Sequence, residues 1–277
     1  MKSKRIISLV AIVMLIIMSL TMLTGCGNKE KEKEGENGNA VVENSETSIF
    51  KFTYNDSDNT ATLTGLKDKS GNKTKEIVIP SKVLYNDKTY TVTEIGSHAF
   101  ANCYTSITSV TIPEGITSIG SNAFLYCDAI KTITFPKSLQ TLGESAFNDC
   151  DALTTVTFLG DNTVIKRRAF SGCGEKLTSV TLPKNLTTIP ESLFNGCYNL
   201  TSVTIPESVT TIGLMAFAYC SKLTEITIPK NVTTMGKNIF KESKGLKNIY
   251  CNGISEKPEG WDTNWNSDCS AEIHWGN

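Results

Sequence analysis

The chain has 277 residues, of which 39% are hydrophobic, and its 27 basic and 28 acidic side chains give a net charge of −1. Nucleic-acid backbones are bound by clustered Lys and Arg, so this balance argues against nucleic acid as a partner.

The amino terminus has the three parts of an export signal. Lys2, Lys4 and Arg5 precede an uncharged apolar stretch from Ile6 to Met22, and small residues follow. The stretch is shorter than the roughly 20 residues that a membrane-spanning helix needs. The sequence therefore predicts a cleaved signal peptide over residues 1–25 rather than a transmembrane anchor.

A Leu-Thr-Gly-Cys sequence ends at Cys26 and resembles the lipobox of bacterial lipoproteins. The resemblance implies that Cys26 becomes the first mature residue and carries a lipid, and that the lipid is the only contact with a membrane. Two or three acyl chains give durable attachment. Residues 26–46 are rich in Gly, Asn, Lys and Glu, a composition that predicts a disordered tether. Cleavage removes three positive charges and no negative ones, which leaves a net charge of −4.

A strand-turn-strand pattern follows the tether. The apolar and polar residues alternate from Ile49 to Tyr54 and again from Thr60 to Leu66, and five Asn, Asp and Ser residues separate them. An open sheet edge must be covered to prevent pairing with other chains. We therefore predict that residues 47–76 form an amino-terminal β-hairpin cap.

The phrase Ala-Phe-x-x-Cys then recurs at a nearly fixed interval, once with Leu in place of Ala. The cysteines are 24, 23, 23, 24 and 23 residues apart. Such a period is typical of stacked-repeat proteins, in which each unit buries its apolar face only against its neighbours. The six copies end at Cys103, Cys127, Cys150, Cys173, Cys197 and Cys220.

Each repeat reads Leu-Thr-x-Val-Thr-Ile-Pro, then Val/Leu-Thr-x-Ile-Gly, then Ala-Phe-x-x-Cys. The alternation in the first phrase predicts a short strand with one buried face, and proline ends its ladder. The Ala-Phe phrase predicts a short helical turn. We therefore expect an α/β solenoid over residues 77–250, with a hairpin inserted from Val83 to Tyr90.

The units from Ile77 to Phe240 resemble the BspA-type leucine-rich repeats of bacterial surface proteins, in their Thr-Ile-Pro, Ile-Gly and Ala-Phe-x-x-Cys phrases. The resemblance implies a leucine-rich repeat solenoid that serves as a non-catalytic binding or adhesion module at the cell surface. The family has no fixed ligand residues that could be assigned to this chain.

The six repeat cysteines occupy one equivalent position per unit, which predicts buried, reduced thiols. Stacked equivalent positions lie about 4.8 Å apart, beyond the Cβ separation that a disulfide prefers. Zinc ligands come as close pairs, so no metal site is expected. Cys251 and Cys269 lie outside the repeats and are predicted to form a disulfide in a carboxy-terminal cap, residues 251–277. Three tryptophans in this cap either cover the core or stack on sugars.

The only two histidines are His98 and His274. Neither belongs to a nucleophile, paired-carboxylate or phosphate-binding motif. The sequence therefore predicts that the protein is not an enzyme and needs no cofactor.

Residues that alternate with the buried strand positions are nearly all Ser or Thr, and we expect them on one exposed sheet face. Such a face could bind an extended protein or glycan through hydrogen bonds. One alternative is structural, because threonine is favoured in strands whether or not it binds a ligand. A second alternative is ice binding, since the array also resembles the ice-facing arrays of some antifreeze solenoids. The predicted ligand-binding residues are Ser109, Thr111, Thr132, Thr134, Thr155, Thr157, Ser179, Thr181, Ser202, Thr204 and Thr227, with Glu225 interrupting the array.

The sequence thus favours a lipid-anchored, monomeric module at the bacterial cell surface that recognises an extracellular protein or glycan. The alternative is a structural or assembly component of the cell envelope without a specific ligand. A hydrolase that uses one of the histidines is the least supported hypothesis.

Overall fold

The computed structural model describes residues 42–45, 48–67 and 76–276, all within one compact unit from Ala40 to Asn277. The predicted signal peptide, Cys26 and the tether up to residue 41 lie outside the described residues. Strands and turns build the described part, which contains no helix and therefore none that could span a bilayer.

Twenty strands follow one another along the chain. They are β1 (Val42–Asn44), β2 (Phe50–Asn55), β3 (Thr60–Leu66), β4 (Glu76–Val78), β5 (Lys82–Tyr85), β6 (Lys88–Ile95), β7 (Ser109–Thr111), β8 (Ser118–Ile119), β9 (Thr132–Phe135), β10 (Thr141–Leu142), β11 (Thr155–Phe158), β12 (Val164–Ile165), β13 (Ser179–Thr181), β14 (Thr188–Ile189), β15 (Ser202–Val203), β16 (Thr211–Ile212), β17 (Glu225–Ile228), β18 (Thr234–Met235), β19 (Asn248–Cys251) and β20 (Glu272–Trp275).

The amino-terminal strands form two antiparallel hairpins at the start of the stack. β2 pairs with β3 across the Asn- and Asp-rich turn, and β5 pairs with β6. β3 and β6 then pair in parallel, which joins the two hairpins. β1 pairs in parallel with β5, so the end of the predicted tether contributes a strand.

The repeats stack as coils that form two parallel ladders. The first ladder consists of β4, β7, β9, β11, β13, β15, β17, β19 and β20, and the second of β6, β8, β10, β12, β14, β16 and β18. Pairing is in register, so Thr132 aligns with Thr155, which aligns with Ser179. Among the described strands, pairing is interrupted between β7 and β9, β15 and β17, and β12 and β14.

The carboxy-terminal segment continues the first ladder rather than ending it. β20 pairs in parallel with β19, and Trp261 forms a parallel bridge with Met235 at the end of the second ladder. The predicted cap therefore has the path of one more, irregular coil.

A column of stacked phenylalanine rings fills the centre of the core. Neighbouring rings are 4.7 to 6.1 Å apart at angles of 10° to 26°. Phe50 lies edge-on against the first ring, Phe100, and Trp265 lies edge-on against the last, Phe240. Such aromatic pairs contribute about 0.5–1.5 kcal/mol each beyond their buried area. The two edge-on rings close the column at both ends.

The predicted helical turns are absent from the described residues, which corrects the α/β assignment to an all-β solenoid. The reason is visible at the first Ala-Phe turn. The Phe100 N–H donates to the Ala123 carbonyl of the next coil at 2.7 Å, while the Ala101 N–H bonds back to His98 at 3.2 Å. A helix needs each successive N–H to bond within its own segment. Here every second N–H is used by the neighbouring coil.

The turn also places a non-glycine residue in the left-handed region of every coil. His98 and its six equivalents have φ between 52° and 58°, although bulky residues rarely adopt this conformation. Coil-to-coil bonding therefore dominates over local backbone preference. The equivalents are Asn122, Ser145, Arg168, Ser192, Met215 and Asn238.

The repeat cysteines are hydrogen-bond donors as well as apolar core residues. The Cys150 thiol donates to the Phe124 carbonyl at 3.2 Å, and Cys127, Cys173, Cys197 and Cys220 make the equivalent bond at 3.0 to 3.3 Å. Burial raises the pKa of Cys150 well above its usual range. Ser243 replaces cysteine in the next coil and donates to Phe217 at 2.8 Å. These side chains therefore fasten each coil to its predecessor.

The predicted disulfide between Cys251 and Cys269 is not present, because both residues are reduced thiols. Cys251 lies buried in β19 opposite Trp275, and burial raises its pKa to about 12. Cys269 lies in the turn before β20 and is only partly buried. The two residues thus belong to different parts of the last coil.

The thiol hydrogen bond predicts a difference between two substitutions of Cys150. In Cys150→Ala the Phe124 carbonyl loses its donor and a small cavity forms, so we expect the free energy of unfolding to fall by about 1–3 kcal/mol. Cys150→Ser keeps a donor, as Ser243 does, and should lose less. Urea denaturation followed by circular dichroism measures both. A larger loss for the serine variant would contradict the role of the bond.

Candidate functional site

The structure places the predicted ligand-binding residues together on one surface, here called the hydroxyl face. They project outward from β7, β9, β11, β13, β15 and β17 or directly follow β15. Ser109 and Thr157 are half-buried and the others are exposed. The alternating positions point inward, as Val110 and Ile133 do. The sequence pattern thus predicted the face and its register correctly.

The hydroxyls of this face make no hydrogen bond to any part of the chain that the structure describes. Threonines just before the strands behave differently. Thr154 donates to the Lys131 carbonyl at 2.9 Å, and Thr201 donates to the Thr178 carbonyl at 3.1 Å. The threonines therefore have two roles, since some link neighbouring coils and those on the hydroxyl face remain open to an external partner.

Two adjoining clefts lie on the hydroxyl face near the interruption between β15 and β17. One has a volume of about 420 Å³ and is lined by Ser202, Thr204 and Thr227. The other has a volume of about 410 Å³ and includes Thr181 and Thr204. Thr204 therefore lines both clefts. Val203 is only half-buried here, whereas its counterparts in the paired strands are buried.

The charges around these clefts are few. Glu225 and Glu207 line the first cleft, and Lys184 lies at the second, 3.8 Å from the Asp161 carboxylate. Exposed ion pairs of this kind contribute little to stability. The hydroxyl face therefore offers mainly neutral hydrogen-bonding groups.

A larger cleft of about 720 Å³ lies on the second ladder, here called the proline cleft. It was not predicted from the sequence. Its walls include Ile165, Lys166 and Pro190, at the interruption between β12 and β14. The signal that could have found it is the change from Ile-Gly to Ile-Lys and Ile-Pro at Lys166 and Pro190.

An acidic edge lies where the cysteine turns meet the surface. The pKa values of Asp128, Asp149 and Asp151 are raised, first by burial and then by repulsion from neighbouring carboxylates, among them Glu175. None of the three carboxylates forms an ion pair with another described residue, although the Asn148 amide donates a hydrogen bond to Asp149. In the described residues, no group of carboxylates, cysteines and histidines has a metal-binding arrangement.

Both histidines contact amide groups. His98 Nε2 is 3.2 Å from Asn122 Nδ2, and His274 Nε2 is 2.9 Å from Asn248 Oδ1. The His274 ring also stacks on Tyr250 at 4.8 Å. These contacts orient the imidazoles without activating a nucleophile.

Comparison with known families identifies the repeats. A family model described as BspA type leucine rich repeat region (6 copies) matches residues 72–176 and 161–259, which is more than half of the chain. The chain belongs to the BspA-type leucine-rich repeat family. No curated protein matches it.

Several solved leucine-rich repeat structures resemble this chain. A leucine rich cell surface protein from Faecalibacterium prausnitzii A2-165 is 38% identical, with a TM-score of 0.63, over 73% of this chain and 52% of its own. A leucine-rich repeat protein from Bacteroides ovatus is 25% identical, with a TM-score of 0.54, over 83% and 70%. One from Eubacterium ventriosum is 25% identical, with a TM-score of 0.56, over 78% and 53%. The chain thus spans about half the length of the Faecalibacterium protein.

The crowded carboxylates predict a pH dependence of stability. A raised pKa in the folded state means that folding favours the protonated acid, so this stabilisation is present at low pH and is lost as the pH rises through the folded-state values. Asp149→Asn should therefore raise the free energy of unfolding at pH 7, by less than about 1 kcal/mol because the group is only half-buried.

Thermal unfolding between pH 4 and pH 7 measures this effect. The gain from Asp149→Asn should shrink toward pH 4, because the raised pKa of the wild-type carboxyl group lets it take up its proton as the pH falls. Glu256→Gln, at an exposed glutamate outside the acidic edge, is the matched control and should change little. A stabilisation at pH 7 that is equal in both variants would contradict carboxylate crowding as its cause.

Proposed function

We propose that the protein is a non-catalytic binding module at the bacterial cell surface, attached by a lipid on Cys26, whose hydroxyl face recognises an extracellular protein or glycan. The observation that carries this proposal is the set of exposed hydroxyls in register that the protein itself does not use. Hydroxyl groups both donate and accept hydrogen bonds, which suits a polar, extended partner.

Three further observations support the proposal. BspA-type leucine-rich repeats occur in surface proteins, and the Faecalibacterium relative is described as a leucine rich cell surface protein. The clefts beside Thr204 are open depressions within a repeat-built surface. The rigid phenylalanine column behind that surface keeps the hydroxyls in place, which reduces the entropy lost on binding.

A binding assay tests whether the hydroxyl face is the binding site. The full-length chain, purified in detergent, is applied to arrays of extracellular-matrix proteins and cell-wall polysaccharides. The double variant Thr204→Lys and Thr227→Lys adds two bulky charges to the first cleft and should weaken binding of any captured partner at least about tenfold. The control carries Thr234→Lys and Thr263→Lys, at exposed threonines outside the hydroxyl face whose side chains make no hydrogen bond to the described residues. It should bind like the wild type.

Equal binding by the wild type and the Thr204 and Thr227 variant would exclude the hydroxyl face as the site. Self-association of the chain together with no captured partner would favour a structural role in the envelope instead. Melting curves of both double variants establish that they are folded.

The lipid anchor has its own test. Cys26→Ser removes the sulfur that would carry the lipid, so the variant should incorporate no radiolabelled palmitate and should no longer be processed at this site. The wild-type chain, expressed in a bacterium, should incorporate the label and fractionate with membranes. Absence of label from the wild-type chain would contradict lipidation while leaving the binding proposal untouched.

A further inference from the structure

The proline cleft arises from a single missing donor in the second ladder. In other coils the residue after the buried Ile or Leu donates its N–H to the preceding coil, as Gly143 does to Ile119 and Gly213 does to Ile189, both at 2.8 Å. Pro190 stands at this position and has no N–H. The bond to the Ile165 carbonyl therefore cannot form.

A side chain at this position is not by itself enough to separate two coils. Lys166 also replaces the usual glycine, yet its N–H donates to the Leu142 carbonyl at 2.9 Å and β10 pairs with β12. The missing N–H of Pro190 therefore distinguishes the interruption between β12 and β14, where the proline cleft lies.

The Ile165 carbonyl is an acceptor without its ladder partner. No other hydrogen bond replaces the missing one within the part of the chain that the structure describes. Ile165 is 4% exposed, and the proline cleft is the surface that it lines. Buried carbonyl groups are normally paired, and a ligand that donates a hydrogen bond here would gain accordingly.

The cleft also contains hydroxyl groups, each of which can both donate and accept a hydrogen bond. Ser118 and Thr141 supply them from the neighbouring strands β8 and β10, and Thr188 supplies one from β14. Arg167 is paired with Glu144 at 2.9 Å. Strands in one ladder are about 4.8 Å apart, so the Ser118 and Thr141 hydroxyls repeat at that interval. A ligand that fits must itself carry donors and acceptors along its length, as a polyhydroxylated chain does.

The charge of the cleft favours an anionic group on that ligand. Lys166 and Arg167 outnumber the single carboxylate, Glu144, which leaves one excess positive charge. Lys166 is exposed and forms no ion pair among the described residues. A lysine ammonium beside hydroxyls provides a point contact for a carboxylate.

A peptide strand fits less well than a sugar chain. β12 and β14 have only two residues each, which is too short to offer an added strand a ladder of backbone bonds.

We propose that the proline cleft binds a carboxylate-bearing saccharide chain, with sugar hydroxyls donating to the Ile165 carbonyl and Glu144 and the sugar carboxylate contacting Lys166. This site is separate from the hydroxyl face and does not depend on it.

Isothermal titration calorimetry of the full-length chain with a hexamer of galacturonic acid tests the assignment. The methyl ester of the same hexamer keeps the hydroxyls and removes the negative charges, so it should bind about tenfold more weakly. Lys166→Gln should weaken binding of the acid hexamer by a similar factor. Pro190→Gly supplies the missing N–H, closes the ladder and should also weaken binding.

Two variants serve as controls, and thermal melts show whether each protein is folded. Lys237→Gln removes a lysine from the position equivalent to Arg167 in a distant coil and should leave binding unchanged. The Thr204 and Thr227 double lysine variant should also bind the hexamer normally, which separates this proposal from the function of the hydroxyl face.

Several outcomes would overturn the proposal. No saturable binding of the acid hexamer excludes the site. Equal binding of hexaglutamate shows that carboxylates alone are recognised and removes the saccharide assignment. Equal weakening by Lys237→Gln shows that the acid hexamer is attracted to positive charge in general and not to this cleft. Unchanged binding by Pro190→Gly shows that the Ile165 carbonyl does not contribute to binding.

Discussion

Hydrogen bonds between successive coils hold this protein together, because a single coil is too small to be stable. Its strands have two to four residues in the regular repeats, and its turn cannot become a helix while every second N–H bonds to the next coil. The same bonds fix the register of the stack. The phenylalanine rings of successive coils therefore stack on one another, and the cysteine thiols occupy equivalent positions in successive coils. The hydrophobic core is continuous along the stack.

Among the described strands, two of the three interruptions in this bonding coincide with clefts on the surface. Pro190 cannot donate, so the second ladder opens beside Ile165 and a cleft forms there. On the first ladder, β15 and β17 do not pair, and the clefts lined by Thr204 lie at that place. No feature of the sequence around β15 accounts for the second interruption. At these two places, departures from the regular coil-to-coil bonding accompany a concave surface.

The repeat pattern predicted the strands, the buried positions and the exposed hydroxyls, because side-chain period and coil length are local properties of the sequence. It did not predict the shape of the turns. A left-handed residue such as Met215 has no local signature, and only the bond to the next coil explains its conformation. The pattern identified five of the six repeat cysteines correctly as buried, whereas Cys103, in the first of these coils, is only partly buried. It gave no sign that the buried thiols donate to phenylalanine carbonyls.

Other features depended on spacing between coils, which sequence alone does not supply. The missing disulfide illustrates this point. Cys251 and Cys269 are the two cysteines that follow the repeats, but they occupy different parts of one coil. The proline cleft illustrates the opposite case. Its cause, one proline in a glycine position, is visible in the sequence, but its consequence requires the geometry of the neighbouring strand.

Residues that maintain the fold are largely separate from residues that face a partner. Thr154 and Thr201 link coils through their hydroxyls, whereas Thr204 and Thr227 make no such bond. Substitution on the hydroxyl face can therefore change what is bound with little effect on register, because neither the phenylalanine column nor the thiol bonds include these positions. The two faces of the stack also project from different ladders. One rigid core can thus support two binding surfaces of different chemistry, a neutral one on the first ladder and a positively charged one on the second.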